Sequence, residues 1–150
     1  MSRSPKRKVT EEIEFDWPRI SAAKNHVQLE RMVGDLLGLE LDDQKFTPNA
    51  LRAGKDGGAD GIYMGKIAGT AGPWKVACAT RNTLDALRRK IKAENRGARK
   101  QNYRGLLFIT PFDASATEVR ALSALAGSGL KKGIVWARGK LRPLLRVSVR

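Results

Sequence analysis

Three short stretches hold the residues whose types and spacing can do chemistry. Glu30 falls three residues after Val27, three before Val33 and seven before Leu37, so on a helix it projects from the apolar face. An unpaired carboxylate is costly there, so it meets a base, a metal or a polar cleft, or else sits at the boundary of the stripe. The second stretch is Lys55–Asp56–Gly57–Gly58–Ala59–Asp60–Gly61. Its glycines permit a tight turn and close approach of another backbone. They deliver Asp60 at the start of a strand, where a carboxylate can hold a divalent cation. Asp–Gly pairs are also ordinary hairpin chemistry, and the run is too short and too poor in alternating acids for a calcium-binding loop. The third stretch is Lys75–Val76–Ala77–Cys78–Ala79–Thr80–Arg81. Strand alternation puts Lys75, Ala77, Ala79 and Arg81 on one face, with Val76 and Cys78 on the other. Two alanines between two cations leave space at the centre of that face, or let a helix pack closely over it. Cys78 and His26 are the only residues of their kinds. That excludes an internal disulfide framework and a Cys/His zinc site. A buried cysteine in a strand is the expected role of Cys78.

The elements that must position these groups follow from periodicity and turn signals. A helix is expected from Ser21 to about Leu39, with Val27, Val33 and Leu37 on one face and Gly38 as terminator. Short strands are expected at Lys45–Pro48 and from Asp60 to Met64, then a glycine-rich connection over 65–72. Trp74–Thr80 reads as a strand, and Thr83 to about Glu94 as a helix with Leu84, Leu87 and Ile91 inward. The apolar run Leu106–Thr110 reads as a central strand. A helix follows over Ser115–Ala126, capped by Asp113 or Ser115, with Val119, Leu122 and Leu125 inward. Ile134–Ala137 is a last short strand. Leu141–Val149 is a helical turn or an edge strand, since Pro143 argues against a central strand. Strands alternating with helices give an α/β class with a mixed central sheet flanked by helices. Residues 1–16 are expected to form a basic, disordered arm and 17–150 a single domain.

Charge is distributed unevenly. Residues 1–60 hold ten Lys/Arg and eleven Asp/Glu, whereas residues 61–150 hold nineteen Lys/Arg and four Asp/Glu, within a total of +14. A polyanionic partner follows, because each phosphate neutralised by Lys or Arg releases counterions. Arg88, Lys92 and Arg96 recur every four residues along the helix from Thr83, with Arg89, Lys90, Arg99, Lys100 and Arg104 extending the patch. Lys131, Lys132, Arg138 and Lys140 form a second cluster near the last strand. Arg81 joins the candidate DNA contacts from the end of its own strand. Such residues bind phosphates and carry little sequence information. No run approaches about eighteen apolar residues, so no membrane span is expected. The cytosol of a prokaryote or phage is the expected compartment.

In this order the elements resemble the PD-(D/E)xK nuclease superfamily, most closely its Mrr-type restriction endonuclease branch. The resemblance rests on Leu29–Glu30–Arg31–Met32–Val33 on a helix, on the Asp56–Gly57–Gly58–Ala59–Asp60–Gly61 turn, and on the strand Ala77–Cys78–Ala79. It also rests on Leu107–Phe108–Ile109–Thr110 and a helix near Ser115, and it covers roughly residues 27–145. It implies a restriction-endonuclease-like core and a Mg²⁺- or Mn²⁺-dependent DNA endonuclease. Asp60 would be a metal ligand and Glu30 an outer-shell acid. The strand positions that carry Glu or Gln and then Lys in the family read Ala77 and Ala79 here. The resemblance thus implies that this chain cleaves DNA very slowly or not at all, and that Ala77→Glu with Ala79→Lys would restore cleavage.

Two origins of the alanines stay open: a natural non-catalytic DNA-binding subunit, or an engineered double substitution. Sparing Glu30, Asp60 and every glycine fits the second slightly better. A basic RNA-binding protein is the third reading. Double-stranded DNA is the expected partner, with a homodimer or a larger defence or recombination assembly as the context.

Overall fold

The computed structural model describes residue 41, residues 46–48 and residues 59–148. The N-terminal arm, the helix expected to carry Glu30 and most of the glycine-rich turn lie outside the described residues. Seven strands are described: Phe46–Pro48 (β1), Ala59–Tyr63 (β2), Lys66–Ile67 (β3), Thr70–Ala71 (β4), Trp74–Cys78 (β5), Gly105–Ile109 (β6) and Lys132–Trp136 (β7). Leu84–Lys100 (α1) connects β5 to β6, Ala116–Ala126 (α2) connects β6 to β7, and Arg138–Ser148 (α3) follows β7.

The main sheet has the order β1-β2-β5-β6-β7. The first two pairings are antiparallel and the last two parallel, as an α/β class with a mixed sheet requires. The connection over 65–72 is itself a two-stranded hairpin, β3–β4, turning through left-handed Ala68 and Gly69.

Both faces of the sheet are covered. Trp74, Val76, Cys78, Leu107, Ile109 and Trp136 form one apolar layer, closed by Tyr63, Ile67 and Leu141 of α3. Ala77, Ala79, Leu106, Phe108 and Val135 form the other, closed by Leu87 and Ile91 of α1 and by Leu122 and Ala126 of α2. Burying side chains of the size of Leu87 and Ile91 stabilises a domain by about 2–3 kcal/mol each. The central strands are therefore apolar on both faces, the pattern of parallel strands between helical layers.

Helix ends follow side-chain chemistry. Thr83 caps α1 by accepting from the Ala86 N–H. Ser115, not Asp113, caps α2, in a reciprocal box with Glu118. Helix α1 runs six residues beyond Glu94, through Asn95 and Gly97, which are poor helix formers. Tertiary contacts hold that extension: Asn95 Nδ2 donates to Ala126 O at 2.7 Å and to Ser128 O at 2.9 Å, tying α1 to the end of α2. Helix α3 starts at Arg138, earlier than its apolar pattern suggests, and contains Pro143 in its second turn.

Helix α2 also closes the sheet edge. Ser123 Oγ accepts from the Val135 N–H at 2.9 Å, so an edge group of β7 is already satisfied. The turn between α2 and β7 brings Gly127 and Gly133 into backbone contact, and a methyl group at Gly133 would run into the backbone of Gly127 and Ala126. Gly133→Ala is expected to cost about 3 kcal/mol, the upper range for overpacking, because backbone cannot move aside as a side chain can. Urea unfolding reads this directly, and an unchanged midpoint would contradict the contact.

Candidate nucleic-acid interface

Asp60 occupies a distinctive place in the backbone. Ala59 lies opposite Ala77, and Gly61 lies opposite Val76, so Asp60 is an extra residue bulged out of the β2–β5 ladder. Bulges re-aim side chains and recur beside functional sites. The two elements singled out by residue chemistry, the glycine-led Asp60 and the Ala77–Ala79 strand, are thus neighbours in one ladder. Of Glu30 nothing is described.

Ala77 and Ala79 do not border a cleft. Ala77 is fully buried and Ala79 nearly so, in the layer that contains Leu87 and Ile91. Of the two readings open in the sequence, a space or a strand closely covered by a helix, the structure shows the second. The resemblance implies Mg²⁺ or Mn²⁺ at this strand. Ala77 and Ala79 offer no donor atom, and among the described residues no three His, Cys, Asp or Glu side chains gather. The ligands that the resemblance implies, Asp60 and Glu30, have side chains outside the described residues.

The two cations expected to share the face of Ala77 have other roles. Lys75 is buried under α1, its Nζ 2.8 Å from Glu94 Oε1 and donating to Glu94 O at 3.3 Å. Lys90 Nζ approaches Glu94 Oε2, also at 2.8 Å. Glu94 Oε1 receives no well-aligned hydrogen bond, so its contact with Lys75 is a charge pair rather than a directional bond. Arg81 lies beyond the end of β5, where its Nη1 donates to Thr80 O at 2.7 Å. Neither is presented to a substrate at Ala77. Removing Lys75 leaves the buried Glu94 carboxylate with Lys90 alone, on its other oxygen, and empties the space that the Lys75 side chain fills. Lys75→Met should therefore destabilise by about 3 kcal/mol, and adding Glu94→Leu should recover most of the loss. Urea midpoints of the single and double variants test this; a double variant as unstable as the single would show that the pair is not what matters.

The outer face of α1 carries the strongest feature. Arg88, Arg89, Lys92, Arg96, Arg99 and Lys100 are all exposed. At 3.6 residues per turn they fall on one stripe, opposite buried Leu87, Ile91, Glu94, Asn95 and Ala98. The helix has two acids: Asp85, paired with Arg88 at 3.0 Å, and Glu94, held beneath the surface. Lys90, expected in the patch, is drawn out of it by Glu94. From Arg88 to Lys100 the stripe is about 18 Å long. Along the duplex axis each strand presents a phosphate about every 3.4 Å, so a stripe lying along that axis spans about five phosphates of each strand.

The stripe continues past the helix. Lys131 and Lys132 are exposed at the start of β7, and Lys131 N–H donates to Arg104 O at 2.8 Å. Arg99 packs its stem on Gly129, which links this loop to the last turn of α1. Arg99 and Lys100 also stand at the negative end of the helix dipole, which favours them there.

The cluster expected near the last strand is divided by the fold. Lys131 and Lys132 lie at the N-terminal end of β7, whereas Arg138 and Lys140 follow its C-terminal end, about 16 Å away. Arg138 Nε donates to Pro111 O at 3.0 Å. Burial pulls its guanidinium below the ordinary value, and Asp113 acts in the opposite direction.

Sequence reasoning passed over Glu94. It lies three residues after Ile91 and seven after Leu87, the spacing that drew attention to Glu30. Among the described residues no helix is long and apolar enough to cross a membrane. Comparison with protein-family models, with curated proteins and with solved structures found no match.

Proposed function

We propose that this chain is a duplex-DNA-binding domain that grips the phosphate backbone with the outer face of α1 and catalyses no cleavage. One observation carries the reading: six exposed cations in a single stripe, with Asp85 as the only acid of α1 on that face. Side chains of this kind position a protein on a duplex without reading bases. DNA is favoured over single-stranded RNA because the exposed face carries no aromatic side chains for stacking; Met64 is the one large apolar side chain exposed among the described residues. The scaffold is a restriction-endonuclease-like core, a reading supported by the mixed sheet order and by the Asp60 bulge against Ala77.

The bulge also favours a second reading, a metal-dependent endonuclease whose catalytic strand has lost its Glu and Lys. The closed layer around Ala77 and Ala79 speaks against a site that needs only those two side chains back.

Fluorescence anisotropy with two short duplexes of unrelated sequence tests the proposal. Both are expected to bind with affinities within about threefold of each other, because phosphate contacts are blind to sequence. Tight binding of one duplex alone, or preference for single-stranded RNA over both, would contradict it.

A further inference from the structure

We propose that the α1 stripe has one built anchor: Arg99 is held in place to seat a single duplex phosphate, and Asn95 is its positioning residue. The inference rests on the reading of α1 as a duplex-binding helix and says which of its cations binds hardest.

Asn95 is buried where α1 meets the end of α2. Its Nδ2 donates to Ala126 O at 2.7 Å and to Ser128 O at 2.9 Å. Carbonyl oxygens only accept, so the amide has one workable orientation and its Oδ1 points the other way. That oxygen accepts from Arg99 Nε at 2.8 Å, one helical turn on. One side chain thus ties together the end of α2, the loop after it and a cation of the stripe.

The second hold on Arg99 is steric. Gly129 is left-handed, with a φ of 76°, and a methyl group built on it would stand 2.6 Å from Arg99 Cδ. The arginine stem therefore lies against bare backbone, where a side chain would push it off. With Cδ packed and the Nε–H aimed at Asn95, the plane of the guanidinium is set. Nη1 and Nη2 have no hydrogen-bond partner among the described residues, and Arg99 is exposed. Two parallel donors are left open, the arrangement that matches two oxygens of one phosphate.

The other cations of the stripe lack this support. Arg88 donates from Nη1 to Asp85, which is itself exposed. Arg89, Lys92, Arg96 and Lys100 make no hydrogen bond or ion pair among the described residues. Each gives up rotamer freedom when it grips a phosphate, whereas Arg99 has given it up on folding. That difference amounts to on the order of fivefold in affinity.

The test measures duplex affinity of the full chain by fluorescence anisotropy at one near-physiological salt concentration. Arg99→Gln should weaken binding about fivefold more than Arg89→Gln, Lys92→Gln, Arg96→Gln or Lys100→Gln does singly. Arg99→Lys keeps the charge and loses the held fork, so it should bind about fivefold more weakly than the parent, while Arg96→Lys stays within about twofold. All these positions are exposed, so the fold should be unaffected. Asn95→Ala should also weaken binding about fivefold, and should add no loss in the Arg99→Gln background. A purely structural asparagine would lower affinity equally in both backgrounds. Should Asn95→Ala lack a cooperative thermal transition, Gly129→Ala gives the same comparison, since it displaces the Arg99 stem and leaves Asn95 itself in place. Equal losses across the glutamine variants, an Arg99→Lys protein that binds like the parent, or an Asn95 or Gly129 effect that persists without Arg99 overturns the inference and leaves the α1 reading standing. If none of the glutamine substitutions weakens binding, singly or combined, the α1 reading itself falls.

Discussion

Ala77→Glu combined with Ala79→Lys is expected to unfold the domain rather than arm it. Both positions are buried in an apolar layer with Leu87, Ile91, Phe108 and Leu122. Extra side-chain atoms in a filled layer cost about 1–3 kcal/mol per site. A charge without a well-placed partner in such surroundings costs several more. Lys75 and Lys90 cannot rescue the new carboxylate without abandoning Glu94. Against a total stability of about 5–15 kcal/mol for a domain, the sum removes most of what holds the chain together. Loss of a cooperative thermal transition is the expected result. A folded double variant that nicks plasmid DNA with Mg²⁺, and stops when Asp60→Ala is added, would mean that α1 is displaced from this strand in the working protein. The endonuclease reading would then replace the binding one.

The second large effect is on affinity. Arg89→Gln, Lys92→Gln, Arg96→Gln and Lys100→Gln together remove four of the six cations from the α1 stripe. Each contributes through counterion release, so duplex affinity near physiological salt should fall by roughly 10²–10³-fold. Glutamine is a good helix former and all four positions are exposed, so α1 should stay intact. Circular dichroism and the urea midpoint serve as controls. An equal loss of affinity after neutralising Arg120 and Lys66, which stand elsewhere, would mean that net charge acts rather than this stripe.

The order of elements was legible because the periodic segments are unambiguous: Leu84, Leu87 and Ile91 repeat at helical spacing, and Leu106–Ile109 is an unbroken apolar run. Boundaries were harder where tertiary contacts override local preference. Asn95 and Gly97 weaken an isolated helix, and only the carbonyls of Ala126 and Ser128 reveal why α1 continues through them. The site was legible in part. Alternation correctly grouped Lys75, Ala77 and Ala79, but periodicity does not say what covers a face. A strand under a helix and a strand lining a cleft have the same alternation, and Leu87 and Ile91 decide between them. The division of the basic residues was hidden for a similar reason. Lys132 and Arg138 are six residues apart in sequence, yet an intervening strand carries them to opposite ends of the sheet.

The central claim, that α1 holds duplex phosphate, is tested most directly by the salt dependence of duplex binding in the parent chain and the fourfold variant. Six phosphate contacts predict a slope of about −5 for log affinity against log salt, and two predict about −2. The account predicts that change of slope, with little dependence on DNA sequence. A parent slope near zero, or the same steep slope in both proteins, would contradict it.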